Sequence, residues 1–164
     1  MQVKFWLDPK YPNAKLPVRA SKLASGMDVF AAEDCVLPGF RLEFTLWSLL
    51  CPWRILKLPK PTLVQTGLRI ADMDPDCEIQ VRSRSGNTLN KSFFVMNGPG
   101  TLDADFLGNV GVILLYTGAG SFYIKTGDKI AQFVVQKVER PTIVQVSEIT
   151  RSTERAEGGF GSTG

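Results

Sequence analysis

The segment Cys77-Glu78-Ile79-Gln80-Val81-Arg82 alternates apolar and polar residues without a break. Successive side chains of a β-strand point to opposite faces, so one face of this segment is predicted to enter a core and the other to meet solvent or a ligand. Runs rich in Val, Ile, Phe and Leu recur along the chain between Gly, Pro and Asp clusters, and helical periodicity is rare. The sequence therefore predicts an all-β sandwich or barrel.

The same pattern locates the individual elements. A short helix is predicted after Ser85, through Asn87 to Lys91, although its helix propensity is poor. The predicted strands cover residues 3–6, 28–31, 63–70, 77–82, 93–97, 110–117, 121–124, 130–138 and 142–147.

Composition limits the function classes. With 164 residues, 44% hydrophobic and 21% charged, the chain is long enough to bury a core as a single domain. The net charge of +3 is spread without a long basic run, so neither nucleic-acid nor membrane-surface binding is expected. Histidine is absent, which excludes His-based catalysis and most zinc sites. Carboxylates, Arg and hydroxyl groups remain as the usable chemistry.

Cysteine usage and the N-terminal sequence favour a cytoplasmic location. Cys35, Cys51 and Cys77 are odd in number and widely spaced, which is typical of reduced, buried thiols. The first residues lack a basic segment followed by an apolar stretch and a cleavage site. The most apolar stretch, residues 46–53, is far shorter than the ~20 residues of a membrane-spanning helix.

Two shifts in composition divide the chain. Residues 1–150 are predicted to form one β domain, which contains an apolar insertion with three prolines at 41–61. Residues 151–164 form a tail with four glycines, which is expected to be mobile unless a ligand orders it.

Two segments have the composition of anion sites. The tail combines Arg155 with glycines, an aromatic residue and two hydroxyls over 158–164, and residues 82–86 supply two guanidinium groups, two hydroxyls and a glycine. Glycines let backbone N–H groups approach phosphate oxygens, and Arg adds a planar fork of donors. The alternatives are a disordered terminus and a solvated turn with ordinary surface arginines.

A third segment, residues 97–106, places a Gly-Pro-Gly turn beside Asp103 and Asp105. One of these carboxylates is the natural general base for activating a water, and Asn97 offers both a donor and an acceptor to a polar ring edge. The alternative is a hairpin whose aspartates solvate the turn. Asp28, which follows a glycine at Gly26, is a weaker signal.

Taken in order, these segments resemble the five motifs of the trimeric dUTP pyrophosphatase family, the dUTPases. The matching segments are residues 24–29, 84–86, 100–108, 127–132 and 155–164. The resemblance implies a distorted jelly-roll fold and a homotrimer whose three active sites combine segments of more than one subunit. It also implies hydrolysis of dUTP to dUMP and pyrophosphate, which limits uracil incorporation into DNA and supplies dUMP for dTMP synthesis.

The resemblance also implies roles for individual residues. Asp103 would activate the water that attacks the α-phosphorus, and Ser85 would lie near the scissile bridge. Mg²⁺ would bridge the phosphates, with Asp28 as its protein contact through water. The substrate would be held by further residues: Arg84, Gly86 and Gln132 on the triphosphate; Asn97, Gly100, Thr101, Leu102, Phe106 and Gly111 around the uracil and sugar; and Arg155, Phe160, Gly161 and Ser162 in the closing tail.

The sequence departs from the family pattern at several points. Phe106 stands where the family usually has Tyr, so a modest change in sugar selectivity is expected. Ser83 replaces the usual Pro, and Asn87-Thr88 replaces a small apolar pair, which predicts a less rigid phosphate loop. The 41–61 insertion replaces a short connection, and either covers the trimer's outer surface or binds a protein partner.

Two other functions fit parts of the pattern. The related dCTP deaminases share the fold, but usually carry Gly at the position of Asp105 and a catalytic Glu on the next strand, where residues 110–116 offer no carboxylate. A regulatory protein that uses nucleotide binding to control a partner is the second alternative. Replacing Asp103 would separate binding from hydrolysis.

Overall fold

The computed structural model describes residues 2–42 and 56–153. Within these ranges it contains twelve strands and one short helix, α1 (Ser85–Lys91). The strands are β1 (Val3–Leu7), β2 (Met27–Phe30), β3 (Cys35–Pro38), β4 (Arg41–Leu42), β5 (Leu56–Lys57), β6 (Thr62–Met73), β7 (Cys77–Arg82), β8 (Phe93–Val95), β9 (Gly100–Leu102), β10 (Asn109–Tyr116), β11 (Ser121–Ile124) and β12 (Lys129–Lys137).

Two four-stranded antiparallel sheets share one hydrophobic core. Their strand orders are β1-β6-β10-β8 and β2-β12-β7-β9, and the pairs β11-β3 and β4-β5 lie beside them. Cys77, Ile79 and Val81 of β7 are all buried, and the Phe5 and Phe133 rings stack across the sheets with centroids 6.2 Å apart. The all-β prediction and the alternating faces of β7 are confirmed.

A bulge in β6 bends the first sheet next to the hairpin that follows β9. Between Leu68 and Gln65 of β6, the facing strand β10 advances by a single residue, from Val110 to Gly111. The Thr66 hydroxyl donates to the Val110 carbonyl at 2.6 Å and accepts from the Leu68 N–H at 3.2 Å. Gly67 has φ +67, and an added Cβ would lie 2.8 Å from the Tyr11 Cβ, so only glycine fits this buried position.

The predicted helix is present, but the prediction of a strand at 142–147 is wrong. That segment has no strand partner within the described ranges, and Ile143, Val144 and Val146 are 88%, 70% and 69% exposed. Its β-branched residues fit a pleated strand, yet a strand needs a neighbour to pair with. The strands β3 and β9 were not predicted, because each is short and contains Pro38 or Gly100.

The base of the insertion is visible as a small hairpin. Arg41 pairs with Lys57 and Leu42 with Leu56, and residues 43–55 between them lie outside the described residues. Cys77 is buried as predicted, Cys35 is half-buried, and Cys51 lies outside the described ranges. In the parts of the chain that the structure describes, no helix is long and apolar enough to cross a membrane.

Candidate active site

The hairpin between β9 and β10 closes a cavity of about 230 Å³, here called the hairpin pocket. Apolar side chains of Leu63, Val81, Val112 and Ile113 form much of its wall. The residues predicted to surround the uracil and sugar all line this one cavity: Asn97, Gly100, Thr101, Leu102, Phe106 and Gly111. The structure therefore brings together a predicted set that spans fifteen sequence positions and two strands.

Local geometry explains how the pocket stays open at its polar end. β9 pairs with β7, so that Gly100 faces Val81 and Leu102 faces Ile79. The Asn97 amide lies directly over Gly100, where an added Cβ would be 3.0 Å from Nδ2. An Asn side chain that is exposed and faces a small apolar cavity can donate and accept hydrogen bonds at a flat ring edge.

Asp103 lies just beyond β9, at the turn of the hairpin, and is exposed. The Phe106 N–H donates to the Asp103 carbonyl at 3.1 Å, which closes a tight turn and leaves the carboxylate free to project outward. A second, open cavity of about 500 Å³ is lined by Asp103, Ala104, Asp105 and Arg140 together with Pro75. The candidate general base thus faces solvent-accessible space beside the hairpin.

A charged cluster occupies the other end of the second sheet. Asp28 on β2 accepts from Arg84 Nε through one carboxylate oxygen and from Lys129 Nζ through the other, both at 2.8 Å. Burial of Asp28 raises its pKa, but the hydrogen bonds and positive charges of Lys129 and Arg84 outweigh burial and hold that pKa below its ordinary value. Asp28 is therefore an ionised carboxylate that fixes two cations.

The turn at residues 84–86, here called the 84–86 turn, follows directly on this cluster. Gln132, which lies opposite both Asp28 and Arg82 in the sheet, donates from Nε2 to the Ser83 carbonyl at 2.9 Å. Ser85 and Gly86 are exposed. A Cβ added to Gly86 would meet no atom within 4 Å, and its φ is not in the left-handed region. Nothing within the described chain requires glycine at this position.

Asp103 and the 84–86 turn lie at opposite ends of β7. Leu102 faces Ile79 near the start of the strand, whereas Ser85 comes after its last residue, Arg82. Asp103, one residue past Leu102, lies level with Glu78, and at about 3.3 Å per residue the strand from there to Arg82 is already roughly 13 Å long. A general base must reach its water directly or through one further water, so Asp103 and Ser85 of the same chain are too far apart along β7 to act together on one phosphorus atom.

Part of the predicted site lies in the tail, and one residue of the charged cluster was not predicted. Arg155, Phe160, Gly161 and Ser162 lie outside the described residues. Lys129, the second cation on Asp28, was missed by sequence reasoning, although it belongs to the 127–132 segment. The sequence alone carried no signal for this contact, because it depends on the pairing of β12 with β2.

Comparison with known proteins agrees with this geometry. The profile of the dUTPase family matches residues 49–164. A deoxyuridine 5'-triphosphate nucleotidohydrolase of Alkaliphilus metalliredigens is 38% identical over 152 residues, which is 92% of this chain and 90% of that protein. The chain belongs to the dUTPase family. Solved dUTPases have the same fold.

Two of these solved structures come from staphylococcal phages. The dUTPase of Staphylococcus bacteriophage 80alpha, solved with dUPNHPP and described as controlling the transfer of virulence genes, superposes with a TM-score of 0.76 at 25% identity and covers 99% of this chain and 98% of that chain. A variant dUTPase of phage phi11 of S. aureus, described with a structural Mg(II) ion, has a TM-score of 0.71 at 21% identity over 92% of this chain and 100% of that chain. The latter likeness concerns the fold alone.

Proposed function

We propose that this chain hydrolyses dUTP to dUMP and pyrophosphate, limiting uracil incorporation into DNA and supplying dUMP for dTMP synthesis. The hairpin pocket carries this proposal, because the residues predicted to read the uracil and sugar all line one cavity. Family membership supports the same reaction, since the relatives above are named for it.

The hairpin pocket selects uracil by its shape and by hydrogen bonds from main-chain groups. The pocket is small, and Leu63, Val81 and Val112 give it apolar walls. Asn97 and the hairpin backbone supply hydrogen bonds to the uracil edge, and a pocket this narrow excludes the thymine methyl group. Phe106, which is 39% exposed, packs beside the deoxyribose.

The phosphate end supplies charge and a polar hydroxyl. Arg84 and Gln132 face the triphosphate beside Ser85, whose hydroxyl donates to the bridging oxygen as negative charge develops there. Asp103 accepts a proton from the attacking water, the water oxygen bonds to the α-phosphorus, and the bond to the bridging oxygen breaks. Pyrophosphate then leaves with that oxygen.

Asp28 is placed to contact, through a water, a metal ion that is bound to the substrate phosphates. Among the described residues, no cluster of three or more His, Cys, Asp or Glu side chains could hold an ion, so a cage built by this part of the protein is absent. The Asp28 oxygens each hold one cation, but a carboxylate oxygen can accept a second hydrogen bond from a metal-bound water. Mg²⁺ keeps several waters when bound, and it would neutralise and orient the phosphate oxygens.

A homotrimer of jelly-roll subunits would complete each site. Because Asp103 and Ser85 are separated along β7 in one chain, one subunit would supply the hairpin pocket and another the 84–86 turn. The unpaired segment with Ile143, Val144, Val146 and Ile149 exposes apolar side chains that an adjoining subunit would cover. The domain over 1–150 would carry these contacts, and the 151–164 tail would close over the substrate through Arg155, Phe160, Gly161 and Ser162.

The proposal is tested by pyrophosphate release with Mg²⁺ from dUTP, dCTP, dTTP and UTP in parallel, with an ammonia assay on the dCTP sample. Release from dUTP alone is expected. Ammonia from dCTP would favour the deaminase alternative, although β10 carries no carboxylate to serve as its base. Tight dUTP binding without release would overturn the enzyme assignment.

A regulatory role is the second candidate, and the control of virulence-gene transfer described for the phage 80alpha dUTPase favours testing it. The 41–61 insertion would then contact a protein partner. Removing residues 43–55 would abolish copurification of such a partner without changing dUTP hydrolysis. Unchanged pull-downs combined with a less stable trimer would instead assign the insertion to the trimer surface.

A further inference from the structure

Asn87 lies in α1, and its polar side chain is buried. A small apolar side chain in its place would need no hydrogen-bond partner. Only 2% of its surface is exposed. Its Nδ2 donates to the Lys129 carbonyl at 2.8 Å and lies 3.5 Å from the Ile130 carbonyl, both on β12. A buried amide is retained in a fold when such partners satisfy it. Asn87 therefore fastens the first turn of α1 to β12.

Ser83 fastens the other side of the same turn. Its Oγ accepts from the Val95 N–H on β8 at 2.9 Å, and its carbonyl accepts from Gln132 Nε2 on β12 at 2.9 Å. The 84–86 turn is thus held at residue 83 by β8 and β12, and at residue 87 by β12 again. The expectation that Ser83 and Asn87-Thr88 make this loop less rigid is not supported by these contacts.

These ties matter because Ser85 is the exposed first residue of α1, so the position of its side chain depends on how the start of α1 is held. Its side chain is exposed to solvent. Arg84 on one side is held by Asp28, and Asn87 on the other is held by the carbonyl of Lys129, whose ammonium also binds Asp28. The contacts form a closed ring that determines where Ser85 lies.

We propose that Asn87 is a positioning residue for dUTP hydrolysis, which holds Ser85 at the scissile bridge through its hydrogen bond to β12, with Ser83 as the second tie. This inference rests on the proposed function, because it assigns Ser85 to the phosphate. A misplacement of about 1 Å in a positioned group can lower a rate by about 10²-fold, so a small movement of this turn is enough to be measured.

The test measures kcat and KM for dUTP in a double-mutant cycle of Asn87→Ala and Ser85→Ala. Asn87→Ala is expected to lower kcat about tenfold or more when Ser85 is present, and by less than about threefold when Ser85 is already Ala. Asn87→Ser, which keeps a donor, should recover part of kcat. Circular dichroism and size exclusion confirm that each variant is folded and assembled.

A purely structural defect would lower activity by the same factor with either residue at position 85, and that result would overturn the proposal. Ser83→Ala, a half-buried and therefore milder change, repeats the cycle and should show the same dependence on Ser85 if the turn is positioned as described. Wild-type protein that releases no pyrophosphate from dUTP would instead overturn the proposed function, so the two failures are distinguishable.

Discussion

The hairpin pocket and the 84–86 turn differ in how far a single subunit completes them. The hairpin pocket is a formed cavity of about 230 Å³ whose walls come from β6, β7, β9 and β10 of one chain. Ser85 and Gly86 of the 84–86 turn are exposed, and a Cβ added to Gly86 would meet no atom within 4 Å. On the proposed function, one chain would therefore complete the uracil pocket by itself, whereas its phosphate-binding groups would face outward.

This difference follows from the chemistry of the two ends. An apolar cavity can be assembled by core packing, because its walls are continuous with the hydrophobic core. A triphosphate needs converging charged groups, and a chain without its ligand separates these or neutralises them, as Asp28 does for Arg84 and Lys129. The charged groups are therefore expected to surround one triphosphate only when the subunits have assembled and the substrate has bound.

Removing the carboxylate of the general base, Asp103, should have the largest effect. Asp103→Asn is expected to lower kcat by about 10²–10⁴-fold while a non-hydrolysable dUTP analogue still binds, because the exposed carboxylate takes part in proton transfer and not in folding. Asp105→Asn is the matched control on the same turn and should retain most activity. Equal losses in the two variants would assign the effect to the turn and not to Asp103.

Filling the open space beside Gly86 should weaken substrate binding without lowering the stability of the protein. Gly86→Ala is expected to raise KM about tenfold, equivalent to ~1.4 kcal/mol, because its Cβ would meet substrate and no atom of the described chain. Its melting temperature should be unchanged or higher, since Ala favours helix. The control Gly67→Ala replaces a buried residue at φ +67 and should lower the melting temperature. A destabilised Gly86→Ala would show that the subunit itself fills this space.

The charged cluster predicts a pH dependence of stability. The folded-state pKa of Asp28 is lowered, so its contribution is complete above the ordinary Asp value of about 3.9 and is lost as pH falls through the lower folded-state pKa. Asp28→Asn should cost about 1–3 kcal/mol of unfolding free energy near neutral pH. Denaturant melts of both proteins should converge toward pH 2, and a constant difference down to that pH would contradict the assignment.

The smallest expected effect concerns the sugar. The Phe106 ring lies over Gly108, where an added Cβ would be 2.7 Å from Cζ, so the ring is already placed at the pocket edge. Phe106→Tyr adds only a hydroxyl and should raise the ratio of kcat/KM for dUTP over UTP by a few-fold. A change of more than about a hundredfold would mean that the hydroxyl, and not the ring, sets sugar selectivity.

Sequence reasoning located the elements whose pattern is local. The alternation in β7 and the apolar runs of β6, β10 and β12 predicted strands within a few residues, because each has many residues of one period. The segment 142–147 shows the limit, since the same β-branched pattern has no strand partner among the residues that the structure describes. The bulge at Thr66 and Gly67 depends on hydrogen bonds between distant strands, which no local pattern specifies.

In the candidate site too, residues that adjoin along the chain were predicted together, whereas contacts made by sheet pairing were not predicted. Asn97 and the hairpin were predicted as one group, because they adjoin along the chain, and the structure places them around one cavity. The ring through Asp28, Lys129 and Asn87 joins residues that are far apart in sequence. Sheet pairing of β2 with β12 creates it, and that pairing could not be deduced from the separate motifs.

The central claim is that one subunit supplies the hairpin pocket with Asp103 and another supplies Ser85. It is tested most directly by assembling Asp103→Asn chains with Ser85→Ala chains that carry different tags, and purifying oligomers that contain both. Each variant alone should be nearly inactive, and mixed trimers should recover about a third of wild-type pyrophosphate release, because one of the three sites in such a trimer pairs an intact Asp103 with an intact Ser85. Mixed oligomers no more active than the separate variants would contradict the account.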